Sequence, residues 1–177
     1  GNKAIVHILN ENTVWNTLII SPPGFGKTTL LKDIIKKISN GIPEFNFKGV
    51  TCGVVDERGE LSATYKGISQ NDLGIRTDVI DNIPKALGMK MLIRSMSPKV
   101  IIADEIGKKE DVDAIEYAVT SGVKGIFTAH GSDLEQIEHN PILNQLIING
   151  YIEKVLAMDK QRNVHLLYEK QSKRKVS

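Results

Sequence analysis

The chain has one cysteine, Cys52, nine aromatic residues in 177, and no apolar run of membrane-spanning length. A single cysteine excludes an internal disulfide and points to a reducing compartment. Its neighbours suggest a buried strand thiol, not a nucleophile. Scarce aromatics, not interleaved with the basic residues, argue against stacking platforms for single-stranded nucleic acid. No Cys/His cluster suggests zinc, and His7, His139 and His165 have no context that assigns them a role. No signal-peptide pattern opens the chain. Arginine is also scarce, five against eighteen lysines. What remains is the composition of a soluble intracellular enzyme, one domain by length. Gly1 reads as an expression scar and residues 1–177 as a piece of something longer.

The net charge of +2 is unevenly spread. Residues 160–177 hold Lys160, Arg162, Lys170, Lys173, Arg174 and Lys175 against Glu169, so the remainder is net negative. A basic tail can meet nucleic acid or an anionic membrane, but is more often a solvated, frayed end.

The most specific stretch is Ser21-Pro22-Pro23-Gly24-Phe25-Gly26-Lys27-Thr28-Thr29. An apolar run, Thr17 to Ile20, precedes it and reads as a buried strand. Apolar residues at helical spacing follow it, from Leu30 to Ile38. Strand, glycine-rich turn and helix make a phosphate-binding loop, with Ser21 where the pattern has glycine. Backbone N–H groups and the positive end of the helix dipole converge on one anionic spot. Pro23 to Thr29 would cradle ATP, Lys27 would reach the β- and γ-phosphates, and Thr28 would hold Mg²⁺.

A second apolar run, Val100 to Ala103, ends in Asp104-Glu105. Carboxylates there are tolerable only if they leave the core at the strand's end, where ligands sit in parallel sheets. Asp104 is placed for the Mg²⁺ shell and Glu105 for activating water. The pair suits the RecA-like and AAA+ branch of P-loop NTPases better than kinases or small GTPases. Asp56, Glu57 and Glu60 follow a further strand, close enough to approach Mg²⁺ or pair with Arg58. His130 follows another and is suited to sensing the γ-phosphate. Arg58, Arg76 and Arg94 all fall between the strand ending at Asp56 and the Asp-Glu strand. Arginine's planar fork suits phosphate oxygens, and one of the three is expected to act on a neighbouring subunit's nucleotide, Arg76 first, then Arg94, then Arg58. Internal pairs, Arg58 with Asp56 or Glu60 and Arg76 with Asp78, are the plainer alternative.

The spacing predicts strands over 4–9, 14–20, 50–55, 99–104 and 124–129, and a hairpin of 152–158 with 163–168. Helices are predicted over 27–38, from Pro84 to Met96 with Asp81 or Asn82 as cap, over 110–121, and over 132–138 and 141–149. Residues 59–82 read as a long polar connection, functional or disordered. The alternation implies an α/β fold, a mostly parallel sheet flanked by helices with a C-terminal β-hairpin.

Six blocks in order carry a resemblance: residues 16–29, 54–60, 72–79, 84–98, 103–107 and 128–131. They resemble the ATPase domain of the stage III sporulation protein AA family, relatives of the type II and type IV secretion ATPases. The resemblance implies a homohexameric ATPase, cytoplasmic, docked on a membrane-spanning export or feeding channel between mother cell and forespore. It aligns Asp56-Glu57 with the acidic box of those motors and His130 with their histidine box. Gly107-Lys108 stands where those motors carry an arginine. Without the N-terminal half of such motors, a monomer in solution is plausible and slow turnover is expected. Two other classes compete: a nucleic-acid-stimulated RecA-like translocase, and a slow nucleotide-dependent switch or scaffold.

Overall fold

Four strands of the sheet are buried along their whole length, β3 (Thr17–Ser21), β4 (Cys52–Asp56), β6 (Val100–Ala103) and β8 (Lys154–Met158). Unbroken burial without alternation means that both faces are covered, as expected of a parallel sheet between helical layers. The computed structural model describes residues 2–24, 26–62 and 71–171. It also contains α1 (Asn2–Ile8), β1 (Leu9–Asn10), β2 (Thr13–Val14), α2 (Lys27–Asn40), β5 (Thr77–Asp81) and α3 (Lys85–Met96). Beyond β6 come α4 (Lys109–Thr120), β7 (Lys124–His130), α5 (Leu134–Glu138), α6 (Pro141–Ile148), β8 and β9 (Val164–Glu169).

The main sheet runs β5-β4-β6-β7-β3-β8-β9, parallel except for the β8–β9 hairpin. Leu18 and Ile20 of β3 face a cluster with α3, α4, α5 and α6. Ile19 faces the opposite cluster, with α1 and α2. The strand between β3 and β6 is β7, so the two chemistry-bearing strands are second neighbours with His130 ending the strand between them. Helix α3 lies close on β4 because Gly88 has no side chain: a Cβ there would stand 2.7 Å from Val55 Cγ1.

Several expectations change. Residues 4–9 are mostly helical: Ala4, Ile5 and Ile8 are fully buried while Val6 is exposed, a helical spacing that a strand could not produce. The predicted strand 14–20 breaks at Trp15-Asn16, and Thr13–Val14 instead pairs with Leu9–Asn10. The polar connection contains β5, an edge strand with Thr77, Asp78 and Asp81 among its residues, which hide its period. Pro84 is itself the N-cap of α3, and no side chain caps that helix. Among the described residues, no helix is long and apolar enough to cross a membrane.

Candidate active site

The loop between β3 and α2 turns on glycine. Gly24 and Gly26 adopt φ of +84° and +82°, a region that side chains disfavour. No side chain caps α2, which leaves the N–H groups of its first turn for an incoming acceptor. Lys27 begins the helix and is only 8 % exposed. Its Nζ is buried and has no hydrogen-bond partner among the described residues. Burial pushes this ammonium below its ordinary pKa, opposed by the negative charges of Asp104 and Glu105. A buried cation without a partner is costly, and an anion in the loop would relieve that cost. Pro22, Pro23, Gly24, Gly26, Lys27 and Thr28 line a cavity of about 160 Å³ with Glu105 and His130. Phosphate therefore fits the residues present.

Asp104 and Glu105 leave β6 beside this cavity. The Thr128 hydroxyl donates to Asp104 Oδ1 and accepts from the Glu105 N–H at 2.8 Å. The Thr128 carbonyl accepts from the Ile106 N–H at 2.8 Å. Lys85 Nζ donates to the Glu105 carbonyl at 2.8 Å. These contacts hold Glu105 at φ +53°, a left-handed conformation that costs a non-glycine residue about 1–3 kcal/mol. Its carboxylate lies 3.4 Å from Arg58 Nη1 and 3.8 Å from His130 Nε2. His130 pairs in register with Ser21 at the ends of β7 and β3. A second cavity, about 270 Å³, shares Glu105 with the first and is lined by Asp56, Glu57, Arg58, Glu60, Lys85, Asp104 and Lys108.

The structure thus brings Pro23, Gly24, Gly26, Lys27, Thr28, Asp104, Glu105, His130, Glu57 and Arg58 to one end of the sheet. Asp56 lines the second cavity with them. It is buried, and its two oxygens accept from Leu61 N, Ser62 N and Ser62 Oγ, so it also pins its own loop. Others fall elsewhere. Thr29 is exposed and does not line the loop cavity. Arg58 meets Glu105, not Asp56 or Glu60. Arg76 precedes β5 at the opposite end of the sheet, with Nη1 donating to the Ser39 carbonyl at 2.9 Å. Its backbone N–H also donates to Ser39 Oγ, so this segment is anchored and not free-reaching. Arg94 sits in the last turn of α3, 5.8 Å over the Tyr117 ring. Phe25, Lys173, Arg174 and Lys175 lie outside the described residues. No group of three or more His, Cys, Asp or Glu side chains that could hold a metal occurs among the described residues. Thr28 and Asp104 could hold Mg²⁺ only with phosphate and water completing the shell.

Two cations at this end escaped the reading of the sequence. Lys85 is buried and bridges Glu57 Oε2, at 3.0 Å, to the Glu105 carbonyl. Its signal was a lysine opening a helix, against the dipole. Arg162, counted with the basic tail, lies against Gly26. Its signal was its place in the turn between two strands.

The sequence model of the family described as sporulation stage III, protein AA, matches residues 1–175. The chain belongs to that family. The stage III sporulation protein AA of Bacillus subtilis strain 168 is 42% identical over 171 residues, 95% of this chain and 55% of that protein. The ycf45 protein of Cyanidium caldarium is 33% identical over 148 residues, 82% of this chain and 42% of that protein. The chain therefore spans about half the length of the curated relatives it matches. Its fold resembles the pilus retraction motor PilT with bound ADP, with TM-score 0.63, 14% identity, and coverage of 90% of this chain and 48% of that one. It also resembles the ATPase DotB of Legionella pneumophila, with TM-score 0.63, 19% identity, and coverage of 94% and 47%. At such identities the likeness shows the fold, a RecA-like P-loop α/β domain.

Proposed function

We propose that this domain is an ATP-hydrolysing motor of the secretion-ATPase type. The observation that carries the reading is the buried, partnerless ammonium of Lys27 in a glycine-turned loop, with Glu105 across the same cavity. Bound ATP and Mg²⁺ would supply the phosphorus to be attacked and part of its charge compensation. Lys27 neutralises phosphate oxygens, and Thr28 and Asp104 hold the metal shell. Glu105 positions a water and takes its proton, and His130 beside it registers the terminal phosphate. Arg58 works within its own site by holding the Glu105 carboxylate.

In the whole protein the domain forms a ring, a hexamer by its resemblance to secretion motors, on membrane proteins of a sporulation channel. It works at the cytoplasmic face of the mother-cell membrane and binds no specific nucleic acid. The arginine shared across subunits is drawn from Arg76 and Arg94, both exposed and neither lining the cavity of its own Lys27. An arginine acting across a boundary is worth about 10³–10⁵ in rate, so the isolated domain turns over slowly.

The test measures ATP binding and hydrolysis in the parent, Lys27→Ala and Glu105→Gln, with and without single-stranded DNA. Binding lost only in the first variant and turnover lost in both support the motor. Strong stimulation by DNA makes it a translocase. Unchanged hydrolysis in Glu105→Gln removes Glu105 from the chemistry. Mixing Arg76→Ala or Arg94→Ala with Glu105→Gln at ring-forming concentration restores activity if that arginine acts in trans.

A further inference from the structure

The β8–β9 hairpin delivers a side chain to the phosphate loop. Its turn is fastened by Asp159, whose Oδ1 accepts from the N–H groups of Gln161 and Asn163, each at 2.9 Å. Asp159 Oδ2 lies 2.9 Å from His165 Nε2. The Asp159 backbone closes the turn, donating to the Asn163 carbonyl and accepting from the Arg162 N–H, both at 3.0 Å. Within it Arg162 adopts φ +62°, unfavourable for arginine. The result is a guanidinium laid on Gly26. A Cβ built on Gly26 would lie 3.3 Å from Arg162 Nε, 3.5 Å from Cζ and 3.6 Å from Nη2. Three nearly equal distances mean that the planar group meets the glycine face-on. The residue is exposed.

The sheet order gives this platform its place. Strand β3 lies between β7 and β8. The hydrolytic side, with His130 and Glu105, is the β7 side. Arg162 stands on the β8 side and does not line that cavity. Phosphates held by the buried Nζ of Lys27, with the terminal one toward Glu105, leave the nucleoside end toward Arg162.

We propose that the guanidinium of Arg162, resting on Gly26, stacks on the base of the bound nucleotide. This rests on the nucleotide-binding reading above and assigns the base end of that site. Arginine's flat, weakly hydrated face suits an aromatic ring, whereas a lysine ammonium offers no plane.

The test is calorimetric titration of the chain, its Arg162→Ala variant and its Arg162→Lys variant with ATP, ADP and inorganic tripolyphosphate. Arg162→Ala should weaken ATP and ADP about tenfold and leave tripolyphosphate unchanged. Arg162→Lys should restore neither nucleotide. Equal loss for tripolyphosphate, with recovery in Arg162→Lys, would make the contact a phosphate contact and overturn the proposal. Unchanged ATP and ADP binding in Arg162→Ala overturns it too, while the nucleotide site stands. A parent that binds neither ATP nor tripolyphosphate overturns both readings. Since Arg162 is on an exposed turn, an unchanged melting temperature confirms that the variants report binding and not folding.

Discussion

The two ends of the parallel sheet treat their polar groups differently. At the amino end of the strands, Asn16 is engaged through its carbonyl, its backbone N–H and its side-chain oxygen. Its carbonyl accepts from Glu153 N and Lys154 N, its Oδ1 from Gly125 N, and its own N–H donates to Glu153 Oε1. Lys124 completes that knot with an ion pair to Glu153 at 3.0 Å. At the carboxyl end lie Lys27 Nζ, Ser21 Oγ and Asp81 Oδ2, the buried side-chain atoms without a partner among the described residues. Glu105 adds a strained backbone there. One end is finished and the other is left open, which is the signature of binding energy reserved for a ligand.

The largest effect should come from closing the open end. Lys27→Ala removes the cation and should abolish detectable ATP binding by calorimetry while the circular dichroism spectrum is retained. Glu105→Gln comes next. Turnover should fall on the order of a hundredfold with ATP affinity unchanged, as steady-state rates and titration will show.

Damage at the finished end should produce the reverse pattern. Glu153→Ala strands the Asn16 N–H and Lys124, so stability should drop by about 1–3 kcal/mol while nucleotide affinity stays within twofold. Denaturant melts alongside ATP titrations separate the two, and a large affinity loss would mean the ends are coupled. Lys27→Met should act in the opposite direction and raise the melting temperature of the ligand-free protein by about 2–4 °C, roughly 1 kcal/mol. The sign follows from the direction of the lysine's shift. With the folded-state ammonium titrating below the unfolded one, the unfolded chain holds the proton more tightly. The cost is therefore full below the folded value and fades as pH climbs towards the ordinary lysine range. The smallest effect concerns Cys52. Burial pushes this thiol up to about 12, so a thiol reagent at neutral pH should label it only after unfolding.

Most of the open end was legible because its chemistry is local. Gly24, Gly26 and Lys27 act through spacing along one turn, and Asp104-Glu105 and His130 through their positions at strand ends. Contacts made across the sheet were not legible. Nothing around Lys85 points to Glu57, 28 residues upstream. Arg162 was counted with a basic tail, whose composition gives no sign of the glycine loop. The opening helix was missed because Ala4 to Leu9 is apolar at nearly every position, and such a run fits either period. The edge strand β5 was missed because polar residues suit an edge. Arg76 ranked first among arginines on the assumption of a loose segment, which its bonds to Ser39 contradict.

The strand order also sets the timetable by which this site comes into being. Strand β3 precedes in the chain both of the strands it is hydrogen-bonded to, β7 and β8. Asn16, just before it, awaits Gly125, 109 residues later, and Glu153, 137 residues later. During synthesis the glycine-rich loop therefore emerges on a strand whose partners have yet to be made. A ribosome stalled before β8 would expose one apolar edge of β3, a surface suited to chaperones or to aggregation. The phosphate-binding motif is translated before the strands that seat it, and premature termination anywhere before residue 154 forfeits it.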